Sequence, residues 1–320
     1  MFLLIILIIG FIMLIKGADV FVDGSSDLAK RFKVPGVIIG LTIVALGTSA
    51  PELAVSTAAA LSGSNEIALS NVVGSNIFNC LSVLGVCAAI STVPIDKTII
   101  KRDFPIFIIS SILLTLAVVD TSLFAKEKSM NDNAGTLSKV IGATLVIGFI
   151  LYIALLIADA KKHPTPDDGD TPSSLAKCII LIVIGLAFII VGGKVVVYSA
   201  QEIARSLGMT ETLIGLTIVA VGTSLPELVT SIVASKKGES GLAVGNAIGS
   251  NIFNLLLILG VSSVINPIGV NVASVYDLCI MIVVTCITFI FAITKENISR
   301  LEGIMMVLMY VAYVAFAIIR

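Results

Sequence analysis

Gly40-Leu-Thr-Ile-Val-Ala-Leu-Gly-Thr-Ser-Ala-Pro-Glu-Leu-Ala-Val-Ser56 returns as Gly215-Leu-Thr-Ile-Val-Ala-Val-Gly-Thr-Ser-Leu-Pro-Glu-Leu-Val-Thr-Ser231, with thirteen of seventeen positions identical. A second echo follows each copy, Asn71-Val-Val-Gly-Ser-Asn-Ile-Phe-Asn79 and Asn246-Ala-Ile-Gly-Ser-Asn-Ile-Phe-Asn254, and both pairs lie 175 residues apart. One register therefore relates two halves of the chain. Each copy sets a proline and a glutamate inside an otherwise apolar stretch. Proline has no amide donor and clashes with the carbonyl four residues back. An ionised side chain at mid-membrane costs on the order of 2.5–3.5 kcal/mol even on insertion scales. Together they persist in lipid only where they build a site.

Hydrophobic residues make up 57% of the chain and charged residues 13%, with mean hydropathy +1.11, against about 25% charged in soluble domains. The chain reads as an all-α integral membrane protein in the lipid bilayer. Apolar runs long enough for about 30 Å of hydrocarbon fall near residues 2–22, 36–61, 67–92, 104–120, 138–160, 174–196, 211–235, 240–265, 273–294 and 300–319. Ten transmembrane helices are expected, five per half. The first run lacks a basic n-region and a small-residue cleavage pattern, so it reads as a helix rather than a signal peptide. All five cysteines, Cys80, Cys87, Cys178, Cys279 and Cys286, lie inside apolar runs, where packing rather than disulfide pairing is expected.

The most polar stretch between spans, Lys161 to Ser173, carries three prolines and the acids Asp167, Asp168 and Asp170. It reads as a cytoplasmic linker (161–173) between a first repeat over 1–160 and a second over 174–320. Because five is odd, the second repeat must enter the membrane the opposite way. The expectation is an inverted pair with broken helices 2, 3, 7 and 8 at the midplane. Net charge is only −1, but its placement is informative. With the N-terminus outside, thirteen of the twenty basic residues fall in inner loops: Lys30, Arg31, Lys33, Lys97, Lys101, Arg102, Lys161, Lys162, Lys177, Lys236, Lys237, Lys295 and Arg300. By the positive-inside rule both termini are expected to be extracytoplasmic.

Pro51 is expected to free the carbonyl of Gly47, and Pro226 that of Gly222. Thr48, Ser49, Thr223 and Ser224 add hydroxyls on the same turns. A simpler reading also fits: Ser49-Ala-Pro-Glu52 and Ser224-Leu-Pro-Glu227 match the capping box that restarts a helix. Yet Glu52 and Glu227 are the only acids well inside the expected spans, at equivalent positions, and a neutral cap would be less costly. Asn71, Ser75 and Asn79 are spaced by four, as are Asn246, Ser250 and Asn254, so each set forms a stripe on one helix face. Such stripes also act as glue between helices.

Two carboxylates, hydroxyls, amide oxygens and backbone carbonyls make an all-oxygen shell. Calcium accepts six to eight oxygens flexibly, whereas magnesium demands an octahedron; sodium is similar in size to calcium and also prefers oxygen. The lone His163 lies in the linker and no paired cysteine motif is present, which leaves zinc and copper without their usual ligands. One divalent cation, or two or more monovalent ones, neutralises both glutamates, so counter-transport follows. No cofactor is expected beyond the transported ions, and no nucleic-acid partner or soluble regulatory domain. With no serine–histidine pair or histidine cluster in the spans, an intramembrane enzyme is not expected.

The paired G-T-S-x-P-E and N-x-x-G-S-N-I-x-N motifs resemble those of the cation/calcium exchanger superfamily, nearest to its compact prokaryotic sodium/calcium exchangers. The resemblance spans the whole chain. It implies a ten-helix fold in a prokaryotic inner membrane, with helices one and six sliding over an eight-helix core. It also implies ion ligation by the backbone of Ala45, by Thr48, Ser49, Glu52, Ser75 and Asn79, and equivalently by the backbone of Ala220 and by Thr223, Ser224, Glu227, Ser250 and Asn254. One calcium site flanked by sodium sites, with several sodium ions moving per calcium, is implied as well. Many relatives carry aspartate where this chain has Asn79 or Asn254. The proton-coupled branch shows a G-N-A-x-E-H signature that neither echo has, which favours sodium coupling; proton-coupled or potassium-dependent cation exchange is the alternative.

Overall fold

A computed structural model describes residues 2–63, 65–120, 129–164, 173–209, 218 and 220–319. In chain order its helices are α1 (Phe2–Phe32), α2 (Gly36–Thr48), α3 (Ala50–Ser62), α4 (Glu66–Ile90), α5 (Phe104–Val118), α6 (Lys139–Lys162), α7 (Leu175–Ser206), α8 (Leu225–Lys236), α9 (Ser240–Ile265), α10 (Val272–Lys295) and α11 (Arg300–Ile319). Among the described residues, seven of these are long and apolar enough to cross a membrane: α1, α4, α6, α7, α9, α10 and α11. The pair α2 and α3, bent by 48° between Thr48 and Ala50, makes an eighth if taken as one span. α5 is shorter and is preceded by a π turn over Ile99–Asp103. Most of the start of the run expected at 211–235, the middle of the linker and residues 121–128 lie outside the described residues.

Three expectations need correction. The third and eighth helices, α4 and α9, are continuous rather than broken. Neither contains a proline, so nothing removes a ladder donor. Their irregularity is a π turn, Asn79–Val83 in α4 and Phe253–Ile258 in α9, which shifts side-chain register without interrupting the helix. Next, α1 and α7 run on to Phe32 and Ser206, well past their apolar windows, because helical hydrogen bonding continues where charges accumulate beyond the hydrocarbon. Finally, the chain is not purely helical. Among the described residues, four short strands, β1 (Val93–Pro94), β2 (Asn133–Leu137), β3 (Ile268–Asn271) and β4 (Asn297–Ile298), form the antiparallel pairs β1–β4 and β2–β3. Each pair satisfies connector backbone of one half with connector backbone of the other.

Packing follows the same exchange between halves. Gly85 of α4 abuts Gly303 of α11, and Gly260 of α9, 175 residues on, abuts Gly142 of α6. At the start of α5, Arg102 grips Asp103 through two 2.9 Å hydrogen bonds and reaches Asp159 of α6 at 2.5 Å, while Tyr152 donates to Asp103 at 2.9 Å. Tyr313 of α11 donates to Asp277 of α10 at 3.3 Å, a similar tie in the second half. Of the cysteines, Cys80, Cys87 and Cys178 are buried, whereas Cys279 is exposed and Cys286 half-buried.

The long helices α1 and α7 run antiparallel along a seam of glycines. Gly10, Gly17 and Gly24 recur every seven residues and face Gly185, Gly192 and their neighbours. A Cβ on Gly17 would lie 2.7 Å from the Phe188 Cβ, and one on Gly185 would lie 2.6 Å from the Phe21 amide nitrogen. Small residues on one face let two backbones approach closely in lipid. Gly17→Ala and Gly185→Ala are expected to cost about 1–3 kcal/mol each through overpacking. Gly148→Ala, whose Cβ would meet only Leu256 at 4.0 Å, is expected to be neutral or mildly stabilising. Thermal unfolding of the detergent-solubilised protein checks both outcomes.

Candidate ion-binding site

The two sequence repeats meet through their serines. Ser49 stands at the bend between α2 and α3 (φ −83°, ψ 6°), and Ser224 stands before α8 (φ −93°, ψ 6°). Neither hydroxyl caps the helix that follows it, so the capping-box reading does not describe this backbone. Instead Ser49 Oγ donates to Glu227 Oε1 at 2.9 Å, and Ser224 Oγ donates to Glu52 Oε1 at 3.0 Å. Each half thus holds the other half's carboxylate. Pro51 and Pro226 fall in the first turn of α3 and α8, where a missing amide donor is tolerated.

Both glutamates are fully buried, and in each the second oxygen, Oε2, has no hydrogen-bond partner. Ser75 of α4 lies 3.0 Å from Ser224 Oγ, and Ser250 of α9 donates to Glu227 Oε1 at 3.5 Å. Thr48 donates to Asn246 Oδ1 at 2.9 Å, whereas the Thr223 hydroxyl has no partner. On the π turn of α4, Asn79 is buried with both amide atoms unpartnered; on that of α9, Asn254 keeps a bare Oδ1. The carbonyl of Ala45 accepts from the Ser49 amide at 3.0 Å, and the backbone of Ala220 opens the short helical turn Ala220–Gly222.

Asn71 and Asn246 serve as struts. Asn71 Nδ2 donates to Ser56 Oγ at 3.0 Å and to the Glu52 carbonyl at 3.4 Å; Asn246 Nδ2 donates to Ser231 Oγ at 2.9 Å and to the Glu227 carbonyl at 3.2 Å. The glue reading therefore holds for the first residue of each stripe. Sequence reasoning missed Asn76 and Asn251, both fully buried. Asn76 donates to the Asn251 carbonyl at 3.3 Å and accepts from Asn254 at 3.1 Å. The signal was available, since both asparagines recur in the second echo, but they lie off the spaced-by-four stripe.

Unpartnered oxygens dominate the site, beside one bare amide donor, Asn79 Nδ2. Glu52 Oε2, Glu227 Oε2, Thr223 Oγ1, Asn79 Oδ1 and Asn254 Oδ1 are all buried and unpartnered. Bare carboxylate oxygens in a low-dielectric interior are strongly unfavourable unless a positive charge faces them. Among the described residues no three His, Cys, Asp or Glu side chains converge, so the formal charge is two carboxylates amid neutral oxygens. That donor set suits a hard cation.

A cavity of about 610 Å³ reaches the site between α3 and α7, bordered by Pro51, Thr223 and Pro226 and further out by Ala58, Lys194 and Tyr198. The positions 175 residues away from its walls are filled instead. Leu225, Val229 and Val233 of α8 pack against the buried cluster of Leu14, Ala18, Phe21 and Val22 on α1. A larger cavity, about 910 Å³, lies between α2 and α6 and touches no candidate ligand.

A family model described as sodium/calcium exchanger protein matches residues 2–158 and 177–319. The chain belongs to the sodium/calcium exchanger family. The unmatched interval coincides with the linker and its edges. Sodium/calcium exchanger MaX1 of Methanosarcina acetivorans is 34% identical over 336 residues, covering 96% of each chain. Inner membrane protein YrbG of Escherichia coli is 33% identical over 296 residues, covering 88% of this chain and 86% of that protein. Among solved structures, the sodium-calcium exchanger NCX_Mj soaked with 10 mM Na+ and zero Ca2+ matches with a TM-score of 0.83 at 30% identity, over 98% of both chains. Like these relatives, this exchanger-family member is a multi-pass helical membrane protein.

Asn246→Leu removes donors to Ser231 and Glu227 and the shorter of the two acceptors of the Thr48 hydroxyl. It is expected to lower stability by roughly 1–3 kcal/mol, read as a lower Tm in detergent, while Asn246→Gln retains part of the network and loses less.

Proposed function

We propose that the chain is a sodium/calcium antiporter that exchanges Ca2+ for several Na+ by alternating access. The observation that carries this reading is the reciprocal grip of Ser49 on Glu227 and of Ser224 on Glu52, which leaves one bare carboxylate oxygen on each glutamate. Glu52 and Glu227 supply the charge. Thr48, Ser49, Ser75 and Asn79, with Thr223, Ser224, Ser250, Asn254 and the backbones of Ala45 and Ala220, supply neutral oxygens. One Ca2+ cancels both carboxylates, as do two or more Na+. An empty site leaves two buried anions facing each other, so loaded forms cross more readily than the empty one and exchange becomes obligatory.

The membrane arrangement in this proposal is ten spans in two inverted repeats, 1–160 and 174–320, joined by a cytoplasmic linker at 161–173. The bent α2–α3 pair, α5 and the segment ending in α8 complete the count. Swapped strand pairs, crossed glycine contacts and crossed serines support a two-fold relation between the halves. The contacts Arg31–Ser173, Arg102–Asp159 and Lys97–Glu296 join basic residues assigned to the inner face with neighbours at that same face. Both termini are then extracytoplasmic, and the open cavity beside Thr223 faces outward while its counterpart is closed.

Glu52→Gln and Glu227→Gln are each expected to abolish exchange, at least a hundredfold loss of 45Ca2+ uptake into Na+-loaded proteoliposomes, with Tm unchanged or raised. Wild-type flux from either variant refutes the site. Replacing Na+ by choline is expected to stop uptake; flux that persists on a proton gradient assigns proton coupling instead, and flux that requires K+ assigns the potassium-dependent form.

A further inference from the structure

The two halves match closely at the centre but differ at their rims. On the α1 side, Lys237, which follows α8, places its ammonium 2.6 Å from Asp19 Oδ1, 2.6 Å from Asp23 Oδ1 and 3.0 Å from the Asp19 carbonyl. Two residues on, Glu239 accepts a hydrogen bond from Ser26, one turn below Asp23 on the same helix. α1 is thereby tied to the end of α8 directly over the packed cluster of Leu225, Val229 and Val233. The repeat register assigns each of these groups a counterpart 175 residues away. For Asp19 it is Lys194, for Asp23 it is Tyr198, for Lys237 it is Ser62. No pairing of opposite charges is possible among Lys194, Tyr198 and Ser62. In the structure Lys194 and Tyr198 line the open 610 Å³ cavity.

We infer that Lys237, with Asp19 and Asp23, is a one-sided latch that holds the cytoplasmic end of the α1–α8 contact closed and so weights the carrier toward the form that opens outward. This rests on the alternating-access reading above. The physical argument is a difference between two closures built from the same scaffold. Closing the inner end forms an ion pair of one lysine with two aspartates, whereas closing the outer end brings together a lysine, a tyrosine and a serine. A two-state equilibrium shifts only by interactions present in one state and absent from the other, and this contact is such an interaction. Partly exposed ion pairs are weak, so the bias is modest, roughly two- to fivefold in population. That is enough to matter, because the apparent affinity on each face scales with the fraction of carrier open to that face. Cutting the latch therefore weakens apparent cation affinity outside and strengthens it inside, with the binding residues untouched.

The test uses the full chain in proteoliposomes with Ala58→Cys on the wall of the outer cavity as reporter. Modification of that cysteine by a membrane-impermeant maleimide, added from the extracytoplasmic side, measures the outward-open fraction. Against this background, Lys237→Gln and the double variant Asp19→Asn/Asp23→Asn are each expected to slow labelling, by at most about the two- to fivefold by which the population ratio shifts. Both should raise the outer half-saturation for Na+ by a similar factor while maximal exchange persists. The swapped pair Asp23→Lys/Lys237→Asp is expected to restore labelling, which loss of folding would not do, and it also serves if either neutral variant fails to fold. Unchanged labelling in variants that still exchange overturns the latch. Absence of labelling in the parent carrying only Ala58→Cys also overturns it, because the outer cavity would not be the open face. If that parent labels but shows no sodium-dependent calcium flux, the transport reading fails while the latch is still judged by the labelling rates.

Discussion

Two fully buried carboxylates, each held by a serine from the opposite sequence repeat, are the constraint on which the rest of the structure depends. Each glutamate takes its shortest side-chain hydrogen bond from the other half, Ser250 at 3.5 Å being the longer tie to Glu227 from its own half. Glu52 is anchored by Ser224 and Glu227 by Ser49, so the site exists only when the halves are docked. Docking in turn requires the bend at Ser49 and the non-helical Ser224 before α8, which bring the hydroxyls to the carboxylates. Both require helix starts that tolerate Pro51 and Pro226. Asn71 and Asn246 then brace the same two helix starts through Ser56, Ser231 and the glutamate carbonyls. The acceptor excess left over suits a hard cation, the role it has in the proposed exchange.

Much of this was legible in the sequence, and the limits were physical. The 175-residue register, the two glutamates and the paired serines are local facts of composition and spacing. Hydropathy located the seven long apolar helices and the bent pair α2–α3 because lipid admits so few solutions for the backbone. What could not be read was partner choice across the molecule. Ser49-x-x-Glu52 is compatible with a cap inside its own helix, and only docking of the halves decides that its hydroxyl goes to Glu227. Asn76 and Asn251 were overlooked because the period of four pointed elsewhere. The π turns at Asn79 and Phe253 were invisible for a similar reason: they cost one residue of register and leave no proline behind. Helix ends past the hydrocarbon, at Phe32 and Ser206, carry charges that hydropathy reads as loop.

Near-symmetry at the centre and asymmetry at the rim have different uses. In the proposed antiporter, matching ligands give the ions a comparable cage whichever face is open, which keeps the two forms close in free energy. The present structure nevertheless takes one side, with the Thr223 hydroxyl bare beside an open cavity and Thr48 sealed by Asn246. The glycine seam packs α1 closely against α7; in the proposed exchange cycle the two move together, so that opening one rim closes the other. Under the proposed latch, a small charge difference between the rims is sufficient to set the resting preference.

The central claim is that one cation sits between the two carboxylates, and locating that ion tests it most directly. In crystals soaked with Ca2+ or its heavier analogue Sr2+, an anomalous-difference map is expected to show a peak bridging Glu52 and Glu227, with oxygen ligands from both halves at about 2.3–2.6 Å for Ca2+. A peak bound to one glutamate only, or to a site formed by a single repeat, contradicts the account.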